Sequence, residues 1–165
     1  PPLTMMQPIN AHYIMNYHNS LKQIKSDIQH FDTINQKIST KTIGWHIHHL
    51  CLTNSIVIKS MLTSDPAKFE LVDNPVRENV MGRKTIMRGR VQAPDPLNPP
   101  DDGDRVIIAE AFATMNELLE KWEHLDDNSY FTHPHMGKLN KELALNFMTI
   151  HNMHHLKIIE EILAA

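Results

Sequence analysis

The sequence predicts an all-α fold, a four-helix bundle with a long crossover between its second and third helices. Three observations carry that class. Apolar residues recur at intervals of three and four in four separate segments. No alternating run is long enough to build a sheet. Six of the ten prolines fall between Asp65 and Asp104, between the second helical segment and the third.

The first segment carries Asn10, Ile14, Tyr17, Leu21, Ile24, Ile28 and Phe31 on one stripe, which Ile38 continues; a helix is expected over 8–38. Thr40 or Thr42 can cap the second, expected over 41–63. It runs through Ile43, His46, His49, Leu50, Thr53, Ile56, Val57 and Met61. Ser64-Asp65-Pro66 ends it, because a proline disfavours a helical residue before it. The period then disappears, and Pro94 to Gly103 cannot be regular helix or central strand. The third helix is expected over 104–125, capped by Asp104, with Val106, Ile108, Ala111, Phe112, Met115, Leu118, Leu119 and Trp122. Asp101 and Asp102 suit its positive end. A polar turn from Asp126 to Gly137 leads to the last helix, expected over 138–163.

At 165 residues the chain is expected to form one domain, 1–165. A formal charge of −3 with no basic block argues against nucleic acid or an anionic membrane as partner. The single Cys51 fits a reducing, cytoplasmic setting. No apolar run is long enough to span a bilayer, and the first residues have neither a basic n-region nor an apolar h-region. Histidine, at twelve residues, is the outlier. It is the side chain best suited to divalent transition metals.

His151 and His155 lie four apart on the apolar stripe of the last helix, so both imidazoles share one face. Burying them without an ion would need two separate hydrogen-bond solutions. A third ligand would come from the cluster after Trp45. His49 lies on the inner stripe with Thr53 and Ile56; His46, one turn earlier, competes with it, as His154 competes with His155. His48 falls about a third of a turn away and should look outward or sideways. His12, His18, His30 and His124 follow no paired spacing and read as surface residues. His133 and His135, flanking Pro134, read as local turn structure. Cys51 reads as a small core residue. Three neutral imidazoles leave a divalent ion its full charge and a coordination position for water, which fits hydrolysis or nucleophile activation.

Thr42-Ile43-Gly44-Trp45-His46-Ile47-His48-His49-Leu50 and His151-Asn152-Met153-His154-His155 together resemble the DinB/YfiT-like superfamily of metal-binding four-helix proteins. Its pattern has a Trp four residues before a His-Leu, then a late His-x-x-x-His. Carried over position by position, it implies a triad of His49, His151 and His155. Met87-Arg88-Gly89-Arg90-Val91-Gln92-Ala93-Pro94 and Phe131 to Leu139 resemble an uncharacterised branch with an Arg-Gly…Ala-Pro loop. Many members carry Arg-Gly-Gln after the last histidine, where this chain has Leu156-Lys157-Ile158. The resemblance implies a divalent ion, zinc or nickel, and hydrolysis or thiol transfer on a small molecule. The alternative is a non-catalytic metal-binding or stress-response module with a structural ion, closed by a fourth ligand such as His46. The segment from Arg77 to Pro100 is expected to lie over the ion, with Arg88 or Arg90 receiving an anionic substrate group. A homodimer is compatible with this reading.

Overall fold

The computed structural model describes residues 7–89, 92–100 and 103–164, with side chains in the first helix from Tyr13 onward. Arg90, Asp101 and Asp102, and the side chains of Asn10 and His12, lie outside the described residues. Among the described residues the fold is all-α apart from one small hairpin. Its helices are α1 (Gln7–Asp27), α2 (Ile43–Thr63), α3 (Pro75–Arg83), α4 (Arg105–Leu119) and α5 (Lys141–Leu163). Strands β1 (Phe131–His133) and β2 (Gly137–Leu139) pair antiparallel, Thr132 opposite Lys138. Among the described residues no helix is long and apolar enough to cross a membrane.

Side-chain caps set where α2 to α5 begin. Thr42, Asn74, Asp104 and Asn140 each accept a hydrogen bond from the backbone N–H three residues on, satisfying a donor that the first turn leaves open. Pro75 adds a preset backbone angle at the start of α3.

Four boundaries differ from the sequence expectation. The first helix stops at Asp27, followed by a single tight turn over Ile28–His30, and does not reach residue 38. The chain there bends back into α2: Ile43 N–H donates to Thr33 O and Gly44 N–H to Phe31 O, so these carbonyls serve the turn. The third long helix ends at Leu119, and Trp122–His124 form a separate tight turn. Residues 137–139 are strand, with Gly137 in the left-handed region at φ 71°. The crossover holds a helix of its own, α3.

Core pairing gives the helix directions. Tyr13 and Tyr17 of α1, Val57, Ile58 and Met61 of α2, Leu118 of α4 and Ala144, Leu145, Phe147 and Met148 of α5 share one cluster. Ile24 and Ile28, Ile43, Ile47, Leu50 and Cys51, Ile108 and Met115, and Leu156, Ile158, Ile159 and Ile162 share the other. Helix α2 is therefore antiparallel to α1 and α5 but parallel to α4. A parallel pair needs a connection about as long as the helix, roughly 30 Å, which is the crossover's task. Between the clusters lies a buried polar layer. Tyr17 Oη donates to Asn54 Oδ1 at 2.7 Å, Asn54 Nδ2 to Asn152 Oδ1 at 2.9 Å, and Asn152 Nδ2 to Ser20 Oγ at 3.1 Å. These bonds hold α1, α2 and α5 in one register; slipping a helix would strand buried amides.

Gly44 marks the closest approach to the start of α2. A Cβ there would stand 2.7 Å from both Phe31 O and Ile108 Cδ1. Gly44→Ala is expected to cost about 1–3 kcal/mol, read as a fall of several degrees in the thermal midpoint. Gly82→Ala, with nothing within 4 Å of the new methyl, is the contrast and should leave the midpoint level or raise it. Equal midpoints for the two variants would refute this account of Gly44.

Candidate metal centre

Each of His49, His151 and His155 offers one ring nitrogen to a set in which all three lie within 4.8 Å of one another. Helix α2 supplies the first and α5 the pair. The rings are 4.7 Å (His49 to His155), 4.8 Å (His151 to His155) and 5.0 Å (His49 to His151) apart, centre to centre, all at steep angles. His49 and His155 are buried and His151 nearly so.

His49 is held from two sides. Its ring stacks on Trp45 at 5.2 Å and 10°. Its Nδ1 lies 2.6 Å from Leu97 O; a carbonyl only accepts, so Nδ1 carries the proton and Nε2 keeps a lone pair. Trp45 Nε1–H donates to Pro99 O at 3.1 Å, anchoring the same stretch of crossover. His49 Nε2 then stands 3.2 Å from His151 Nε2. Two imidazole nitrogens bound tetrahedrally to one zinc ion lie about 3.3 Å apart, so this pair is spaced for a shared cation.

Electrostatics agree with the geometry. Burial pushes His155 and His151 well below the usual imidazole range, and each is lowered further by the neighbouring histidines. Burial also lowers His49, against a partial pull upward from Leu97 O. All three are neutral near pH 7, the state in which a lone pair is available to a metal. Three neutral, convergent imidazoles fit a divalent transition ion.

The competitors take other places. His46 is outside the convergent set. It backs onto His155, with the two Nδ1 atoms 2.9 Å apart, and its Nε2 lies 3.0 Å from Ser39 Oγ. His154 packs its ring 5.0 Å from that of His155 and hydrogen-bonds the backbone of Ile86. His48 departs from the sequence expectation: it is buried, 8% exposed, with Nδ1 near Gly103 and without a hydrogen-bond partner among the described residues. Gly103, near the end of the crossover, lies on that side of α2, which no helical wheel could show. His18 and His124 are exposed and His30 half-buried.

Sequence reasoning missed three participants. Ser39 had no signal as an isolated loop serine, and Leu97 acts through its carbonyl. His133 is local structure, as its position beside Pro134 suggests, since Nδ1 accepts from the N–H groups of His135 and Met136. Its ring also packs 5.1 Å from Phe147, which stacks on His151 at 5.5 Å, so the hairpin walls one side of the centre.

The crossover meets the centre at Leu97 and Pro99. Arg88 is paired, its Nη1 donating to Glu161 Oε2 at 2.7 Å, and its charge adds to burial in lowering His154 and His46, the two histidines packed against His155. It lines a groove of about 1000 Å³ along α1 and α5 that also holds Lys84, Lys157, Asp27 and His154.

A helical bundle that gathers three imidazoles from two of its helices defines a class of proteins able to hold a metal ion. The DinB superfamily model matches residues 34–159, and the chain belongs to that superfamily. No curated protein and no solved structure matches it.

Proposed function

We propose that this DinB-superfamily chain is a metal-dependent enzyme acting on a small molecule by hydrolysis or thiol transfer, with His49, His151 and His155 holding one divalent ion, zinc or nickel. One observation carries the choice of enzyme over a structural ion. Among the described residues the convergent set has three protein donors, and His46, a candidate for a fourth, is outside it and engaged with His155 and Ser39. Structural zinc sites close with four protein ligands, while catalytic ones keep a position open. When bound, such an ion would lower the pKa of a water toward about 7 or hold a thiol as its thiolate.

The chain's own groups position and enclose. Trp45 and Leu97 hold the His49 ring, and Phe147 and His133 give His151 an aromatic wall that restricts water. An anionic substrate group at Arg88 would have to displace Glu161, with which that guanidinium is paired.

Cobalt(II) substitution tests the open position. The protein loaded with one equivalent of Co(II) is expected to change its visible absorption on titration with azide or a small thiol. A spectrum unmoved by either would mean a closed centre and a structural ion.

A further inference from the structure

The pairing behind His155 is unlike the support given to His49. A carbonyl fixes His49 in one tautomer. His155 instead faces a second imidazole, and that imidazole faces a hydroxyl: His155 Nδ1 to His46 Nδ1 at 2.9 Å, then His46 Nε2 to Ser39 Oγ at 3.0 Å. Ser39 Oγ also accepts Lys41 N–H at 3.1 Å. His46 and His155 are 4% and 9% exposed.

Such a chain of neutral groups can run in two senses. In one, the Ser39 hydroxyl donates to His46 Nε2 and His46 Nδ1–H donates to His155 Nδ1. The proton of His155 then sits on Nε2, and no lone pair is left on that nitrogen. In the other, His155 Nδ1–H donates to His46 Nδ1 and His46 Nε2–H donates to Ser39 Oγ. Only this second sense leaves His155 Nε2 free to bind a cation.

We infer that His46, backed by Ser39, is a positioning residue that accepts the Nδ1 proton of His155 and so holds this imidazole in its metal-binding tautomer, an inference that rests on the metal reading above. Ligand histidines mostly donate their outer N–H to an acceptor, commonly a carboxylate or carbonyl, which fixes the tautomer. A neutral imidazole in that place supplies the acceptor without adding negative charge, so the ion keeps its full charge. The arrangement also gives His46 a task distinct from ligation.

The test uses the full chain. Zinc affinity is measured by competition with a chromophoric chelator for the wild type, His46→Leu, His46→Gln and His151→Ala. His46→Leu fills the space without an acceptor and is expected to weaken binding about 10–100-fold. His46→Gln, whose amide oxygen can accept, should recover most of that loss. Circular dichroism checks that each variant keeps its helices. Wild-type affinity in His46→Leu, with binding lost in His151→Ala, would overturn the inference and leave the centre standing. Undiminished binding in His151→Ala would overturn the centre itself. If His46→Leu does not fold, nitrogen NMR of the zinc-loaded wild type decides. A proton on His155 Nδ1 supports the assignment, and one on Nε2 ends it.

Discussion

His151→Ala is expected to abolish stoichiometric binding of a divalent ion, and His49→Ala and His155→Ala should each do the same. The ring nitrogens of these three converge within 4.8 Å, and no fourth side chain joins them among the described residues. Zinc binding to folded protein ligands is worth about 10 kcal/mol or more, so losing one of three ligands removes roughly 3 kcal/mol, over a hundredfold in affinity. Elemental analysis after gel filtration is the measurement. His48→Ala is the control, since His48 Nδ1 faces Gly103 and not the centre. It should cost stability and leave metal content near one equivalent. Full occupancy in any of the three variants would remove that residue from the ligand set. Because the ion would tie α2 to α5, free metal at a thousand times the dissociation constant should add about 4 kcal/mol of stability. Chelation should then lower the thermal midpoint by about 10 °C.

Much of this was legible because burial and chemistry shared one period. In α5 the apolar stripe through Phe147, Ile158 and Ile162 also carries His151 and His155, so the helical repeat alone paired the two imidazoles. In α2, Thr42 caps the helix and Pro66 lies just beyond its end, so its limits followed from local chemistry. The stripe misled in α1. Ile14 fits the period but is 46% exposed, while Ser20 and Asp27 are buried. Their places are set by Asn152 and by the groove beside α5, contacts that no local pattern encodes. Periodicity also ran on past His30 into Phe31 and Ile38, though Asp32, Thr33 and Asn35 there favour turns. Asn74-Pro75 was a readable helix start hidden in a proline-rich stretch. The acceptor behind His155 was illegible, because His46 meets that imidazole only once α2 and α5 pack.

Acid is expected to destabilise the metal-free protein steeply below pH 6.5 and to leave it level above. Burial holds His46 and His133 at about 4, against an ordinary value of 6.5 that both regain on unfolding. Above 6.5 neither state binds these protons, and their contribution is fully present. Between 6.5 and 4 the unfolded chain takes up protons that the native one refuses, so stability falls as pH falls. Below about 4 the native imidazoles protonate too and the loss from these two is complete. His151 and His155, lowered in the same sense, extend the fall further into acid. Asp27 opposes it at the acid end, since burial raises its carboxyl and the native state then binds that proton more readily. Each fully buried histidine contributes roughly 1.4 kcal/mol per pH unit within the window. Half-buried His133 contributes less. The sum is still several kcal/mol, on the order of half the 5–15 kcal/mol that holds a typical domain folded. Urea titrations of the metal-free protein at pH 8, 7, 6 and 5 are expected to give equal midpoints at the first two and falling midpoints at the last two. A midpoint unchanged from pH 7 to 5 would contradict neutral burial of the cluster. With zinc present the same histidines must lose their ion before they protonate. Because the native imidazoles are already neutral at pH 6.5, half-release of the ion should fall below that value, and the loaded protein should hold its midpoint to lower pH before dropping more sharply.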